Sequence, residues 1–202
     1  MVEKQQILLI HGGTTFESSD AYSEALRNKT IKLERILSRH DWKEDLQDQL
    51  GKDYLVYTPQ MPNKQNAQYE EWRILLEKIM ALLDDGLILI GHSLGGMFLV
   101  KYLAENKIGK KIDKTHILAT PFDGEGMGEE TLNSFLRKGE LKNVEKQAGE
   151  LFFYHSKDDF TVPFGHLARY RRELPTAHFR EFEDRNHFLQ AEIPELIADI
   201  KG

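Results

Sequence analysis

A serine between two glycines, Gly91-His92-Ser93-Leu94-Gly95, is the stretch whose residue types best fit a chemical role. Four aliphatic residues, Leu87 to Ile90, precede it, and an amphipathic helical pattern, Met97 to Asn106, follows. A strand that turns sharply into a helix forces the residue at the tip toward a strained backbone, so small residues must flank it. The turn would expose the Ser93 hydroxyl at the end of a sheet. The pattern therefore predicts a nucleophilic serine, and a turn without chemistry is the alternative interpretation.

A serine nucleophile of this type needs a carboxylate and then a histidine later in the chain. Asp158 and Asp159 follow a predicted strand, and either could orient an imidazole, although paired aspartates also cap turns. His187 lies in the loop between the last predicted strand and the closing helix. The sequence therefore predicts His187 as the general base and leaves two aspartates open as its partner.

Two backbone N–H groups are needed to stabilise the negative charge that develops on a carbonyl oxygen under attack. The N–H of Leu94, at the start of the predicted helix, is the first. The second is expected from the loop His11-Gly12-Gly13-Thr14-Thr15 after the first strand, with Gly13 as the first choice and Thr14 as the second. A tight turn without a catalytic role is the alternative for the two glycines.

The other histidines are expected to be structural. His116 and His178 lie in predicted strands, His166 starts a predicted helix, and His40 lies in a charged helical segment. His166 is expected at the surface or as a cap. His155 ends a strand beside the two aspartates and could line the site. His11 and His92 are expected to make hydrogen bonds next to the site, because the base should follow the acid. No H-E-x-x-H or similar spacing occurs, so no metal site is expected.

Short strands alternate with helices along the whole chain. Strands are predicted at residues 6–10, 53–57, 87–90, 114–119, 151–155 and 177–182. Helices are predicted at residues 19–37, 42–50, 69–83, 97–106, 129–138, 141–148, 165–173 and 189–200. The alternation predicts one α/β domain over residues 1–202, a three-layer sandwich with a six-stranded, mostly parallel sheet. Residues 121–150 depart from the pattern and are a candidate insertion. Because ligands bind at the carboxyl ends of such strands, the candidate loops should converge there.

Composition and charge restrict the class of protein. The chain has 202 residues, of which 40% are hydrophobic and 30% charged, as in soluble globular domains. Its net charge of -6 argues against nucleic acid or an anionic membrane as the main partner. It has no cysteine, and so neither disulfides nor thiolate chemistry. The polar N-terminus and the lack of an 18-residue apolar run predict a cytoplasmic protein without a membrane span.

The order of motifs resembles that of a compact α/β-hydrolase from Ile7 to Ile200. The motifs are strand-HGG, strand-P-x-M-P, GHSLGG, D-x-x-V-P and N-H-F. Within that superfamily the chain is most similar to the small serine hydrolases related to the retinoblastoma-binding serine hydrolase, by its short length, its Met61-Pro62 loop and its Tyr69-x-x-Trp72 helix start. It departs from the superfamily in two ways: Asn186 stands where glycine usually precedes the base, and two leading strands of larger members are missing.

The resemblance implies a triad of Ser93, His187 and Asp159, because Asp159 occupies the acid position of D-x-x-V-P, with Asp158 capping the turn. It also implies hydrolysis of a small carboxylic ester or related acyl substrate through an acyl-enzyme on Ser93, without a cofactor. A thioesterase or peptidase with the same triad, and a non-catalytic binding protein of the same fold, are the alternatives.

The oligomeric state is left open. The side chains expected to bind substrate are His11, Met61, Phe122 and Met127. The resemblance also implies a cap at 121–150, which at this length makes a small helical lid. Its apolar residues either line an acyl pocket or pack the lid onto the sheet, with packing favoured for at least two of them: Phe122, Met127, Leu132 and Phe135.

Overall fold

The structure is a computed structural model that describes residues 4–33, 41–127 and 132–202. Within these residues, six strands form one sheet in the order β2-β1-β3-β4-β5-β6, with every pair parallel. The strands are β1 (Gln5–Ile10), β2 (Tyr54–Tyr57), β3 (Leu87–His92), β4 (Ile112–Leu118), β5 (Glu150–Ser156) and β6 (His178–Phe182). The helices are α1 (Ser19–Asn28), α2 (Trp42–Leu50), α3 (Tyr69–Met80), α4 (Leu94–Glu105), α5 (Lys142–Gln147), α6 (Gly165–Glu173) and α7 (Pro194–Lys201).

The sheet separates two hydrophobic cores, which gives the predicted three layers. Along the fully buried strand β3, Leu87 and Leu89 face one core, whereas Ile88 and Ile90 face the other. Helices α3 to α6 cover the first face, and α2 and α7 cover the second. This alternation follows from the two-residue period of a strand, since successive side chains point to opposite faces. A sheet covered on both faces requires continuous apolar strands, and β3 is one.

The order in which successive strands are added to the sheet reverses at β1. β2 lies on one side of β1, and β3 to β6 follow on the other side. Ile10 at the end of β1 pairs with Gly91 of β3, so the loops that follow these two strands lie side by side. Crevices at such switch points are the usual ligand sites of open parallel sheets. The fold therefore places the Ser93 turn beside the loop at residues 11–15.

Several helix boundaries differ from the predicted ones. The predicted helix at 19–37 ends at Asn28, and its residues 34–37 lie outside the described part of the chain. The closing helix begins at Pro194 rather than Leu189, because proline lacks an N–H and favours the first helical turn. In place of a helix at 129–138, the described residues form a single 3-10 turn at Asn133–Phe135.

The segment at 121–150 packs largely into the first core. Its buried apolar residues there are Phe122, Met127, Leu132, Phe135, Leu141, Val144 and Ala148. Within the described ranges, no helix has both the length and the hydropathy needed to cross a bilayer.

Candidate active site

Ser93 lies at the tip of the turn between β3 and α4 with a strained backbone, φ 56° and ψ -124°. Its N–H donates to the carbonyl of Leu118 at the end of β4 (2.8 Å), which fixes the turn against the neighbouring strand. A Cβ at Gly91 would lie 2.6 Å from the Cα of Gly96, and one at Gly95 would overlap the carbonyl of Ile10. The flanking glycines are therefore required by close backbone contact, as the sequence pattern predicted.

The predicted acid and the predicted base form a hydrogen-bonded pair in the loops that follow β5 and β6. His187 Nδ1 lies 2.9 Å from Oδ2 and 3.1 Å from Oδ1 of Asp159, whose carboxylate is fully buried. The N–H groups of Thr161 and Val162 also donate to Asp159 Oδ1, at 2.8 and 2.9 Å. A carboxylate that accepts from a histidine Nδ1 leaves the Nε2 of that ring free to act as a base.

Asp158, the other candidate acid, makes no hydrogen bond with the imidazole among the described residues. Its Oδ1 accepts from Ser156 Oγ (2.5 Å) and from the N–H of Asn186 (2.8 Å), while Ser156 Oγ accepts from the N–H of Arg185. The hydrogen bond from Ser156 holds the pKa of Asp158 below its usual range. Asp158 thus joins the acid loop, which follows β5, to the base loop, which follows β6. The turn that it was expected to cap is instead capped by Asp159, which accepts from the N–H groups of Thr161 and Val162.

The backbone on both sides of His187 is left-handed. Asn186 has φ 48° and Phe188 has φ 53°. Asparagine tolerates this region better than other non-glycine residues, so Asn186 can replace the glycine that usually precedes the base. Phe188 is held by its fully buried ring and by Trp42 Nε1, which donates to its carbonyl at 3.0 Å. The role of Trp42 was not predicted, since in the sequence it reads only as the apolar start of a helix.

His92 contacts the backbone of His187, the predicted base. Its Nε2 lies 2.9 Å from the carbonyl of His187, and the two rings are 4.9 Å apart. Burial, with further contributions from Lys43 and His187, keeps the pKa of His92 well below its ordinary value, so this ring is neutral. A hydrogen bond beside the site is the role that the sequence predicted for His92.

Ser93, Leu94 and His187 line one cleft of about 620 Å³ at the carboxyl ends of the strands. Within the described residues, no hydrogen bond joins Ser93 Oγ to His187. Such contacts often form only when substrate is bound. The predicted nucleophile and the predicted base therefore line the same cleft but are not hydrogen-bonded to each other in this structure.

The first N–H groups of a helix have no intrahelical acceptor, and Leu94 begins α4. In the loop after β1, the N–H of Thr14 donates to the carbonyl of Lys64 at 2.9 Å, so Thr14 does not offer a free donor. This bond argues against the second choice made from the sequence. Gly13, the first choice, also lines the cleft and has no hydrogen bond from its N–H in the described part of the chain.

The loop around residues 61–67 holds the 11–15 loop in place. Two hydrogen bonds to Thr14 add to the one that the Lys64 carbonyl accepts. The N–H of Ala67 donates to the Thr14 carbonyl (2.9 Å), and Thr14 Oγ1 donates to the Gln65 carbonyl (2.8 Å). The backbone of Met61 donates to His11 Nε2 (2.9 Å), so the other ring nitrogen carries the proton and donates to Gly12. Burial lowers the pKa of His11, which is therefore neutral.

Two of the four side chains expected to bind substrate do not line the cleft. His11 and Met127 do line it, but Met61 is buried in the first core and contributes only its backbone. Phe122 is also buried in the first core, and the guanidinium carbons of Arg137 and Arg169 lie 4.0 and 4.5 Å from the centre of its ring. An aromatic face that binds two cations is stabilised where it stands. Met61 and Phe122 are thus corrected to packing residues.

Of the other two lid residues, one lines the cleft and one is packed in the core. Leu132 lines the cleft, whereas Phe135 is fully buried against Trp72, at a ring distance of 5.3 Å. One wall of the cleft comes instead from α1 through Tyr22, Ala25 and Leu26, with Phe16 just before it. Helix α1 has no buried residue, so its apolar face is directed to the cleft and not to a core. The sequence predicts a helix over 19–37 but does not indicate that this helix lines the site.

The other histidines have structural positions. His155 is buried under the acid loop, with Nε2 3.0 Å from the carbonyl of Val162, and does not line the cleft. His166 is buried as well, since its two nitrogens contact the N–H of Phe122 and the carbonyl of Glu125, so its expected surface position is wrong. Strand residue His116 is buried and strand residue His178 is exposed; His40 lies outside the described residues. Among those residues, no cluster of three or more His, Asp or Glu could hold a metal ion.

Comparisons with known proteins agree with this architecture. A family model described as serine hydrolase matches residues 37–192. The ydeN gene product from B. subtilis has a TM-score of 0.70 at 18% identity, with 98% of this chain and 97% of that chain covered. A carboxylesterase structure from Nitrososphaera gargenis has a TM-score of 0.64 at 14% identity, with 100% and 89% covered. A thioesterase domain from the curacin biosynthetic pathway has a TM-score of 0.65 at 12% identity, with 100% and 92% covered.

At these identities, the likeness to solved structures establishes the fold and not the substrate. It confirms the predicted α/β-hydrolase architecture. No curated protein gave a significant sequence match.

Proposed function

Because the chain belongs to the serine hydrolase family, we propose that it cleaves a small carboxylic ester or related acyl substrate through an acyl-enzyme on Ser93. The observation that carries the proposal is the buried Asp159–His187 pair at the wall of the cleft that also contains Ser93. A carboxylate, an imidazole and a hydroxyl that meet at one site are the groups that acyl transfer requires.

In the first half of the reaction, His187 Nε2 takes the proton of Ser93 as the hydroxyl oxygen attacks the carbonyl carbon. Asp159 orients the ring through Nδ1 and stabilises its positive charge once the proton has been taken. The negative charge on the carbonyl oxygen is placed at the start of α4, near the N–H groups of Leu94 and Gly13. The protonated imidazole then gives its proton to the leaving alcohol, which leaves the acyl group on Ser93.

In the second half, water replaces the alcohol. His187 takes a proton from this water as the water oxygen attacks the acyl carbon. The bond from the acyl carbon to Ser93 Oγ then breaks, the protonated imidazole returns its proton to Ser93 Oγ, and the acid is released. The apolar wall of α1, with Tyr22 and Leu26, and the neighbouring Met127 offer a surface for the acyl chain. The cleft volume of about 620 Å³ lies within the usual range for small-molecule sites.

A fluorophosphonate probe tests the proposal, because it reacts covalently with activated serines. We expect the folded wild-type protein to be labelled and Ser93→Ala to be unlabelled. Ser19→Ala, which removes an exposed hydroxyl in the first turn of α1, is the matched control and should be labelled like the wild type. An unlabelled wild type would instead favour a binding protein that has kept the fold without catalysis.

A further inference from the structure

The cleft has a charge opposite to that of the whole chain. The sequence holds 33 acidic and 27 basic residues. Among the described residues that line the cleft, however, three are lysines, Lys29, Lys43 and Lys64, and none is an aspartate or glutamate. A concave site lined by one sign of charge focuses the field and attracts ligands of the opposite sign. The positive field belongs to the lysines, because burial keeps His11 and His92 neutral.

Lys64 is the lysine most directly connected to the catalytic loops. Its carbonyl accepts from the N–H of Thr14, and a Cβ at Gly13 would lie 2.6 Å from the same carbonyl oxygen. Its backbone is therefore fixed against the loop that is proposed to bind the oxyanion. Its side chain is exposed and lines the cleft.

No carboxylate in the described part of the chain forms an ion pair with Lys64. The two acidic residues nearest in sequence, Glu70 and Glu71 at the start of α3, have other partners. Glu70 forms an ion pair with Arg73 at 2.8 Å, and Glu71 accepts a hydrogen bond from Asn63 Nδ2 at 2.9 Å. Lys29, just after α1, likewise has no carboxylate partner among the described residues. These two ammonium groups are therefore available to a ligand.

Lys43 differs from the other two lysines. Its Nζ lies 2.7 Å from Asp41 Oδ2 and 4.9 Å from the centre of the Trp42 ring, so part of its charge is already compensated. It still contributes to the positive field, since it is among the charges that lower the pKa of His11 and His92. We therefore assign ligand contact to Lys64 and Lys29 before Lys43.

We propose that the acyl substrate carries an anionic group, a carboxylate or a phosphate, and that Lys64 and Lys29 bind it while the apolar wall of α1 contacts the acyl chain. This inference rests on the proposed hydrolase function and adds the class of substrate to it. The anion can belong to the acyl part or to the leaving group, and the recognition chemistry is the same in both cases.

Two matched pairs of substrates test the proposal and separate these sources. In the first pair, the p-nitrophenyl monoester of glutaric acid carries a carboxylate on the acyl side, and p-nitrophenyl butyrate is its neutral counterpart. Butyryl-coenzyme A, against butyryl-N-acetylcysteamine, places phosphates on the leaving group. For at least one pair, we expect the wild type to have the higher kcat/KM on the anionic member, and this preference should fall as salt is raised toward ~0.5 M.

The variant Lys64→Gln should lower the ratio of anionic to neutral kcat/KM for the preferred pair by about fivefold, and the double variant with Lys29→Gln should lower it further. Lys78→Gln, which makes the same charge change on the exposed face of α3 outside the cleft, is the control and should leave both rates unchanged.

A wild type that prefers the neutral member of both pairs, or a ratio that changes equally in Lys64→Gln and Lys78→Gln, would overturn the proposal. In either result, turnover of the neutral esters and Ser93-dependent labelling would persist, so the hydrolase function would stand on its own. A protein that cleaves none of the four substrates and is not labelled would contradict the hydrolase function itself.

Discussion

At the scale of single residues, backbone strain is concentrated around the proposed chemistry. Ser93, Asn186 and Phe188 all have positive φ without being glycine, and they flank or form the nucleophile and the base. Such conformations persist only where surrounding contacts enforce them. Here those contacts come from Leu118 at the serine, from Asp158 at Asn186 and from Trp42 at Phe188. The local sequence alone does not specify these supports.

The two neighbouring aspartates give a paired prediction. Asp159→Asn keeps the shape of the side chain but disturbs the tautomer of His187, so we expect kcat to fall by about 10³- to 10⁴-fold. Asp158→Asn keeps an oxygen that can accept from Asn186, so we expect a fall of less than about tenfold. Steady-state kinetics on p-nitrophenyl butyrate, with circular dichroism to verify folding, measures both. A larger loss in Asp158→Asn would move the acid to that residue.

At the scale of elements, α1 has a role that its sequence did not reveal. The sequence directs attention to 121–150 as the lid, because that is where these hydrolases insert one. In the structure, this segment contributes Pro121, Met127 and Leu132 to the cleft, while α1 supplies an apolar wall without burying any of its own residues. A helix without a core contact is free to set specificity, since changing its inner face costs little stability.

Leu26 tests the role of α1. It lines the cleft and is 47% exposed, so Leu26→Ala should leave the melting temperature nearly unchanged. Since acyl-chain contact is lost, we expect kcat/KM for p-nitrophenyl hexanoate to fall about threefold to tenfold relative to p-nitrophenyl acetate.

Leu82→Ala, an 82% exposed leucine just after α3 and outside the cleft, is the matched control and should leave this ratio unchanged. An unchanged ratio in Leu26→Ala would place the acyl chain elsewhere in the cleft.

At the scale of the whole molecule, the two cores share one sheet, and we expect residues 1–202 to unfold as a single unit. Within this unit several histidines are buried and neutral. His116 is the clearest case: burial lowers its pKa to about 3, despite the opposing charge of Asp199. Its Nδ1 lies 2.8 Å from the Tyr154 hydroxyl, which donates to Asp199, while its Nε2 has no hydrogen-bond partner among the residues that the structure describes.

Buried neutral histidines make stability depend on pH. The pKa of His116 is lower in the folded state than its unfolded value of about 6.5, so between these values the unfolded chain binds more protons and stability falls as pH falls. This residue alone should decrease the free energy of unfolding by about 2 kcal/mol between pH 7 and pH 5. Urea denaturation at the two pH values measures the decrease.

His116→Phe removes this titration while keeping a ring stacked on Phe152, and Tyr154 retains Asp199 as its acceptor. We expect the loss of stability between pH 7 and pH 5 to shrink by about 2 kcal/mol in this variant. The exposed His178→Gln on β6 is the control and should keep the wild-type difference. An undiminished difference in His116→Phe would mean that His116 does not titrate on unfolding.

The sequence by itself determined the sheet, most helices and the candidate chemical groups. Apolar runs such as Leu87 to Ile90 must be buried on both faces, and the glycines around Ser93 permit a turn that few other residues allow. The order of an acid and then a histidine after Ser93 followed from the motif, whereas the choice of Asp159 over Asp158 followed from the resemblance. These features depend on local periodicity and steric limits, which a sequence displays directly.

Only the tertiary structure decided which side chains surround the substrate cleft. Met61 and Phe122 were expected there but are buried, because Met61 belongs to the core and two arginines hold Phe122. Lys64 and the inner face of α1 line the cleft instead. Whether a side chain faces a cleft or a core depends on contacts between residues far apart in the chain. Local patterns do not encode such contacts. The sequence therefore located the candidate chemical groups, and the packing of the folded chain decided which side chains line the cleft.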